Sequence, residues 1–357
     1  MINTTSKFAE CITVEGHKIG MNHSVFIVAE AACNHMCQLD MAKELIDKAA
    51  EAGADAIKFQ TYKAEKLVTS NAAAFWGKEK ISQLEYYKRL DRFGKNEYAE
   101  LFKYAQKKSI IGFSSPFDDE STQMLAGLNM PIFKIASCDI TNLNHIQNIA
   151  GIGKPIMLST GASNLDEINR AIEIIFEQGN YQLMLMACNL CYPTKDEDAN
   201  LLRIKTLVEN YPGVIVGLSD HTEPDPHMII PSVAVGLGAR IIEKHFTLDR
   251  SMKGSGHFFA MDPDDLKMMV KNIRLAEKVL GDSLLCVAES EKKAWLSARR
   301  GIVAEVAIKK GEIITSEMIG LKRPAEGLPA NMVNKVIGKK AKVDIKFNQY
   351  IDMEVLE

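Results

Sequence analysis

The sequence predicts a (β/α)8 barrel followed by a small β-rich domain. Three observations carry that expectation. Short apolar runs recur eight times between residues 26 and 245, each followed by a stretch with helical spacing. Each run closes on polar residues. Beyond residue 298 the helical spacing gives way to short β-rich runs and turns. Alternating strand and helix units imply parallel strands joined by right-handed crossovers, and eight units favour a closed barrel.

Taken in order, Phe26-Ile27-Val28-Ala29 closes on Glu30, and Ala54-Asp55-Ala56-Ile57 closes on Lys58-Phe59-Gln60. Ile110 to Phe113 closes on Ser114-Ser115, and Pro131-Ile132-Phe133 runs into Lys134-Ile135-Ala136-Ser137. Pro155 to Leu158 closes on Ser159-Thr160, and Leu183 to Ala187 on Cys188-Asn189. Val214 to Leu218 closes on Ser219-Asp220-His221, and Ile241-Ile242 on Glu243-Lys244-His245. Such barrels place their chemistry at the C-terminal ends of the strands, so these polar residues outline one mouth. An open dinucleotide-binding sheet would want G-x-G-x-x-G after its first strand. Here that turn reads Ala31-Ala32-Cys33-Asn34-His35, which excludes it.

The connecting elements are legible too. Residues 1–25 contain a hairpin around Thr13 to Gly20. Asp40 caps a helix with Ala42, Leu45, Ile46 and Ala49 on one face, ending at Gly53. Leu165 to Phe176 presents Ile168, Ala171, Ile172 and Ile175 at the same spacing. An insertion from Tyr62 to Lys95, including Trp76, covers part of the mouth. The eighth helix runs from Pro263 to Leu280. The expected division is a barrel over 1–282, a polar linker over 283–297 and a β-rich domain over 298–357. That last domain contains runs at Gly301–Ala304, Lys310–Ile314 and Val336–Lys339. About 60 residues is small for independent stability, so it needs a surface to dock on.

Bulk properties exclude several classes. A chain of 357 residues, 46% hydrophobic and 25% charged, has the composition of a globular protein with a sizeable core. A net charge of -3 argues against nucleic acid as a partner. No apolar run approaches the ~20 residues of a membrane span, and the N-terminus lacks a signal peptide's apolar core. A cytoplasmic location is expected. The seven cysteines include one C-x-x-C, Cys188 and Cys191, without a second half. Free thiols are the expectation.

The strand-end residues suggest specific chemistry. His221 and His245 end neighbouring strands, where two imidazoles either hold one divalent metal or simply make hydrogen bonds. Asp220 is placed to orient one of them. Lys58 and Lys134 sit among Ser115, Ser137, Ser159 and Ser219. That company favours a phosphate or carboxylate cradle; the rival readings are a Schiff-base lysine and a non-catalytic glycan-binding protein, against which the full set of strand-end polar residues argues. Glu30 and Asp139 are carboxylates able to orient water or shuttle a proton, or else to ion-pair with Lys58 or Lys134. Phe117 and Tyr192 suit the wall of a sugar site, or packing.

Several segments in order resemble one family, the N-acetylneuraminate (sialic acid) synthases, whose members also make legionaminic and pseudaminic acids. They are Phe26-Ile27-Val28-Ala29-Glu30, Asn34-His35, Ala52 through Thr61, Lys134-Ile135-Ala136-Ser137 and Lys154 through Gly161. Tyr192-Pro193-Thr194, Gly217 through Thr222 and Glu243-Lys244-His245-Phe246-Thr247 complete the set. The stretch from Ala298-Arg299-Arg300-Gly301 through Lys322-Arg323-Pro324 resembles that family's antifreeze-like (SAF) domain.

The resemblance implies condensation of phosphoenolpyruvate with an N-acylated hexosamine, usually N-acetylmannosamine, to give a nonulosonic acid and phosphate. It implies Mn2+, with Mg2+ or Co2+ as alternatives, on His221 and His245. Phosphoenolpyruvate would meet Lys58, Ser115, Lys134, Ser137, Ser159 and Ser219. The sugar would meet Glu30, Gln60, Phe117 and Tyr192. A domain-swapped homodimer would bring Arg323 to the partner's site. Three departures matter: Leu190 replaces an Asn two residues before the Tyr, Gly256 replaces an Asp before His257, and Asn34-His35-Met36-Cys37 replaces an N-H-x-G turn. Leu190 and Gly256 face the acceptor, so the identity of the sugar is left open.

Overall fold

The computed structural model describes residues 7–74 and 81–357; Trp76 lies outside them. Among the described residues eight parallel strands close into a barrel. They are β1 (Phe26–Ala32), β2 (Ala56–Thr61), β3 (Ile111–Pro116), β4 (Phe133–Ile135), β5 (Ile156–Ser159), β6 (Leu183–Cys188), β7 (Ile215–Asp220) and β8 (Ile241–His245). Neighbours in sequence are neighbours in space, and β8 closes on β1 with His245 paired to Glu30. All eight apolar runs are therefore barrel strands. Their side chains are buried on both faces, which explains runs of Val, Ile, Leu and Met without polar alternation.

The helices follow the predicted periodicity. The first spans Leu39–Ala52, buries Ala42, Leu45, Ile46 and Ala49, and ends at Gly53 in the left-handed region (φ 88°). Its N-cap is Gln38; Asp40, expected there, sits in the first turn. A carboxylate there still opposes the positive end of the helix dipole. Asn164 and Glu167 form a reciprocal capping box for Leu165–Glu177. Asp262 caps Pro263–Leu280, whose proline occupies the first turn where its missing N–H costs nothing. The hairpin pairs Cys11–Val14 with His17–Gly20.

The chain forms two compact units, dividing between Gly281 and Asp282. The segment expected as a polar linker holds a helix, Lys292–Ala298. In the second unit Gly301–Ala304 pairs antiparallel with Ile319–Lys322. Ile302, Ile308, Ile314, Val336, Ala341, Ile345 and Ile351 form its own small core. Two expected β runs are corrected. Lys310–Ile314 contributes only an isolated bridge, Ile313 to Lys340. Val336 ends a short helix, Val333–Val336, because its apolar side chain is drawn into the core from a helical turn.

Gly217 shows how tightly the barrel closes. A Cβ there would lie 2.7 Å from the Ile241 carbonyl oxygen and 2.7 Å from Met186 Sδ. The oxygen belongs to the neighbouring strand and cannot move alone. Gly217→Ala is expected to cost about 1–3 kcal/mol of stability through overpacking. It should appear as a lower urea midpoint with unchanged slope; an unchanged midpoint would contradict the steric argument.

Candidate active site

The strand ends surround a cavity of about 500 Å3. Strand alternation decides which residues reach it. Glu243 and His245 share one face of β8 and line the cavity, while Lys244 between them points to the opposite face. The same period brings Glu30 from β1, Lys58 and Gln60 from β2, Ser115 from β3 and Lys134 from β4. Ser159 and Ser219 line it too, with Ser137, Tyr192 and His221 from the segments just beyond their strands. Phe117 joins from beyond β3. Leu67, Val68, Tyr86 and Tyr87 of the 62–95 insertion form part of the wall, so among its described residues that segment covers the mouth as expected.

At the floor lies a buried cluster of charges. Lys58 Nζ is 2.9 Å from Glu30 Oε2, 3.5 Å from Glu243 Oε1 and 3.2 Å from Ser115 Oγ. Lys134 Nζ is 3.3 Å from the same Glu243 oxygen, which also accepts from Ser219 Oγ at 3.0 Å. Gln60 Nε2 donates to Glu30 Oε1 at 3.1 Å. The two carboxyls are pushed in opposite directions. Burial, reinforced by the neighbouring Glu243 charge and only partly offset by Lys58, pushes Glu30 up to about 7. Glu243 is equally buried, but Lys134 and Lys58 together outweigh desolvation and hold it down to about 2. The floor thus sets two lysines beside one carboxyl that they hold ionised and one that burial pushes toward its protonated form. A net positive, desolvated site of this kind suits an anion.

Two buried polar atoms here have no hydrogen-bond partner: Ser159 Oγ and Glu243 Oε2. A third belongs to the histidine pair. His245 Nδ1 is orphaned, and burial with His221 and the lysines nearby holds that imidazole well below its ordinary range, keeping it neutral. His221 Nδ1 lies 2.7 Å from the Asn189 carbonyl, which can only accept, so Nδ1 carries a proton; burial opposes charge on this ring, but Cys188 and that carbonyl outweigh it and raise its pKa. The ring centroids are 5.3 Å apart. Two neighbouring imidazoles, one of them held neutral with an unpartnered nitrogen, are a donor set that fits a divalent metal. Among the described residues no group of three or more His, Cys, Asp or Glu is arranged around one point, so this pair would leave other positions open. Tyr192 packs on His221 at 4.3 Å and Phe259 on His245 at 4.8 Å.

The structure gathers most predicted residues and displaces two, Asp139 and Asp220. Asp139 does not line the cavity. It closes a single turn after β4, where its carboxylate faces the Cys138 thiol at 3.8 Å, because the chain has already turned out of the barrel. Asp220 makes no hydrogen bond to an imidazole; it pairs with Lys244 at 2.8 Å on the far side of the strand. Arg323 is exposed in the second unit. The most connected carboxylate, Glu243, was missed as a site residue. Its signal was available: it stands two residues before His245, hence on the same face. All seven cysteines are free, and Cys188 Sγ lies 3.8 Å from His221 Nδ1.

The closed barrel with its polar C-terminal mouth defines the class, a (β/α)8 protein with its chemistry at the strand ends. The chain belongs to the NeuB family, which it matches over residues 45–284, and it carries a SAF domain over residues 299–357. It is 38% identical over 332 residues to the N,N'-diacetyllegionaminic acid synthase of Campylobacter jejuni, covering 91% of this chain and 98% of that protein. It is 31% identical over 352 residues to the N-acetylneuraminate-9-phosphate synthase of Homo sapiens, covering 96% and 95%. Among solved structures, the N-acetylneuraminic acid (sialic acid) synthetase of Leptospira borgpetersenii superposes with a TM-score of 0.74 at 36% identity, covering 80% of this chain and 95% of that one. No described helix is long and apolar enough to cross a membrane.

The opposed carboxyls give opposite pH signatures. Glu243 is depressed, so its stabilisation is complete above its unfolded value of 4.5 and is lost as pH falls toward about 2. The stability gap between the parent and Glu243→Gln should therefore narrow as pH drops below about 5. Glu30 is raised, so ionising it between 4.5 and about 7 removes stability. Glu30→Gln should gain on the parent across that window. Urea midpoints measured against pH check both; parallel curves would refute the assignment.

Proposed function

We propose that the chain condenses phosphoenolpyruvate with an N-acylated hexosamine and water, releasing phosphate and a nonulosonic acid for carbohydrate biosynthesis. The observation that carries this reading is the buried cluster of Lys58 and Lys134 with Ser115, Ser159 and Ser219 at the barrel mouth. Such a cradle has point charges and hydroxyl donors for a phosphate and a carboxylate. Its family relatives are named for nonulosonic acid synthesis. A Schiff-base aldolase would want a lysine with a depressed pKa. Instead Glu243 and Glu30 outweigh the burial of Lys58 and keep it above its ordinary value, protonated and not nucleophilic.

In this reading the cradle holds phosphoenolpyruvate with its C3 toward the acceptor's aldehyde carbon. The enol electrons form the C3–C1 bond, and positive charge develops at C2. Water adds at C2 and gives its proton to Glu30, whose value near 7 suits proton exchange at neutral pH. Glu30 passes that proton to the oxygen of the former aldehyde, which bond formation left as an alkoxide; the C2–O bond to phosphate then breaks, the C2 hydroxyl proton leaves with the phosphate, and the keto acid remains. Lys58, Lys134 and the serines stabilise the departing phosphate in a partly desolvated site. Asp139, off the cavity, has no part. His221 and His245 would hold a divalent ion, Mn2+ above Mg2+ or Co2+, which would supply Lewis acidity toward the aldehyde oxygen.

The acceptor side favours a related second reading, a 6-deoxy di-N-acetyl hexose in place of N-acetylmannosamine. Leu190 and Gly256, the departures from the family pattern, both line the cavity, and a Cβ at Gly256 would lie 2.9 Å from the Phe259 ring. The space is taken by an aromatic face. Identity to the Campylobacter legionaminic acid synthase, 38%, exceeds that to the human enzyme, 31%. Phosphate release measured over a panel of N-acetylmannosamine, its 6-phosphate and di-N-acetyl 6-deoxy hexoses tests both readings. No release with any sugar would overturn the function.

Three variants probe the parts. Lys58→Ala and Lys134→Ala each remove a charged donor worth about 1.5–3 kcal/mol, so kcat/KM for phosphoenolpyruvate should fall roughly 10- to 150-fold. Wild-type kinetics in both would remove the cradle. Chelation should abolish turnover, with Mn2+, Mg2+ or Co2+ restoring it, and a fully active His221→Ala, His245→Ala double variant would refute the metal assignment. Arg323, exposed at the end of the Ile319–Lys322 strand, is proposed to complete the partner's sugar site in a domain-swapped homodimer through its planar guanidinium. Mixing Arg323→Ala with His221→Ala chains should restore one good site per heterodimer. Heterodimers that form without regaining activity would exclude that role.

A further inference from the structure

A second buried polar cluster lies behind the cavity, outside its lining. Lys244 is 2% exposed and its side chain points away from the mouth. Its ammonium meets Asp220 Oδ2 at 2.8 Å, the Thr222 carbonyl at 2.5 Å and Thr222 Oγ1 at 3.1 Å. Asp220 Oδ1 in turn accepts from the Thr222 backbone N–H at 2.9 Å and from its hydroxyl at 2.8 Å. Every group in the cluster thus grips residue 220 or 222, on either side of His221. The donor of that grip is the residue immediately before His245.

We propose that Lys244 is a positioning residue, fixing the His221 imidazole relative to His245. The geometry makes the coupling direct. The end of β7 leaves the barrel at His221, where the backbone would otherwise be free to turn outward. Lys244 ties the Thr222 carbonyl to the neighbouring strand, and the His221 carbonyl is held from the other side by the Thr194 N–H at 2.8 Å. With the backbone clamped on both sides, the ring places Nδ1 on the Asn189 carbonyl while the residue lines the cavity. A barrel-stabilising ion pair alone would need only Lys244 and Asp220; the two bonds to Thr222 are what link it to the histidine. The consequence for a bound metal rests on the metal reading above; the positioning of the ring does not.

The test compares the parent with Lys244→Met and with the double variant Asp220→Leu, Lys244→Met. Removing both charges avoids leaving one buried and unpaired, so the double variant retains a folded barrel. Two measurements are made. In the metal-free protein, the His221 Nδ1–H is followed by imidazole proton–nitrogen NMR, expected as a protected signal in the parent and lost or rapidly exchanging in both variants. In parallel, Co2+ binding is titrated by its visible absorption, with affinity expected to fall about 10- to 100-fold, as for other outer partners of metal-bound histidines. A signal and affinity unchanged in the folded double variant would overturn the proposal. A parent that binds no Co2+, while its variants still lose the Nδ1–H signal, would sink the metal reading and leave the positioning role standing.

Discussion

Four ionisable groups from four strands meet at the floor of the mouth, each almost fully removed from water. Placing charges in such surroundings costs several kcal/mol per ion before any pairing is counted. The site is tolerable only because Glu243 Oε1 is shared by Lys58, Lys134 and Ser219, and because Glu30 can keep its proton. Both conditions demand that β1, β2, β4 and β8 hold their relative heights, so the barrel's register and its chemistry are one constraint. The steric fit at Gly217, where β6 and β8 leave no room for a methyl group, belongs to the same requirement.

From that floor the rest of the site acquires a direction. Cations and hydroxyls lie at the strand ends, imidazoles on adjacent β7 and β8, and aromatic and aliphatic side chains toward the opening. This arrangement also explains why one carboxyl at the floor differs so much from the other: Glu243 faces two ammonium groups, Glu30 effectively one. That a carboxyl near 7 stands beside one near 2 is then a result of placement.

Behind the strands, Lys244, Asp220 and Thr222 form a polar cluster that never sees the cavity. Buried polar groups retained in full mutual satisfaction tend to specify one arrangement of the backbone. Here the specified backbone carries His221. The second unit has its own core and so its own fold.

The sequence by itself determined the barrel, the order of its strands, the limits of helices such as Pro263–Leu280 and the family. Those follow from local periodicity, caps and short motifs, which act within a few residues. It also named Lys58, Lys134, His221 and His245, because strand ends are recognisable where an apolar run stops. Only the tertiary structure decided that Glu243 is the hub of the floor, that Asp139 has turned out of the barrel, and that Asp220 serves Lys244. It likewise decided that Val336 ends a helix. These outcomes depend on which groups from distant segments share a desolvated space, and on the charge each finds there. Lys58 and Glu243 stand near opposite ends of the barrel sequence, and nothing local to either residue states that they meet.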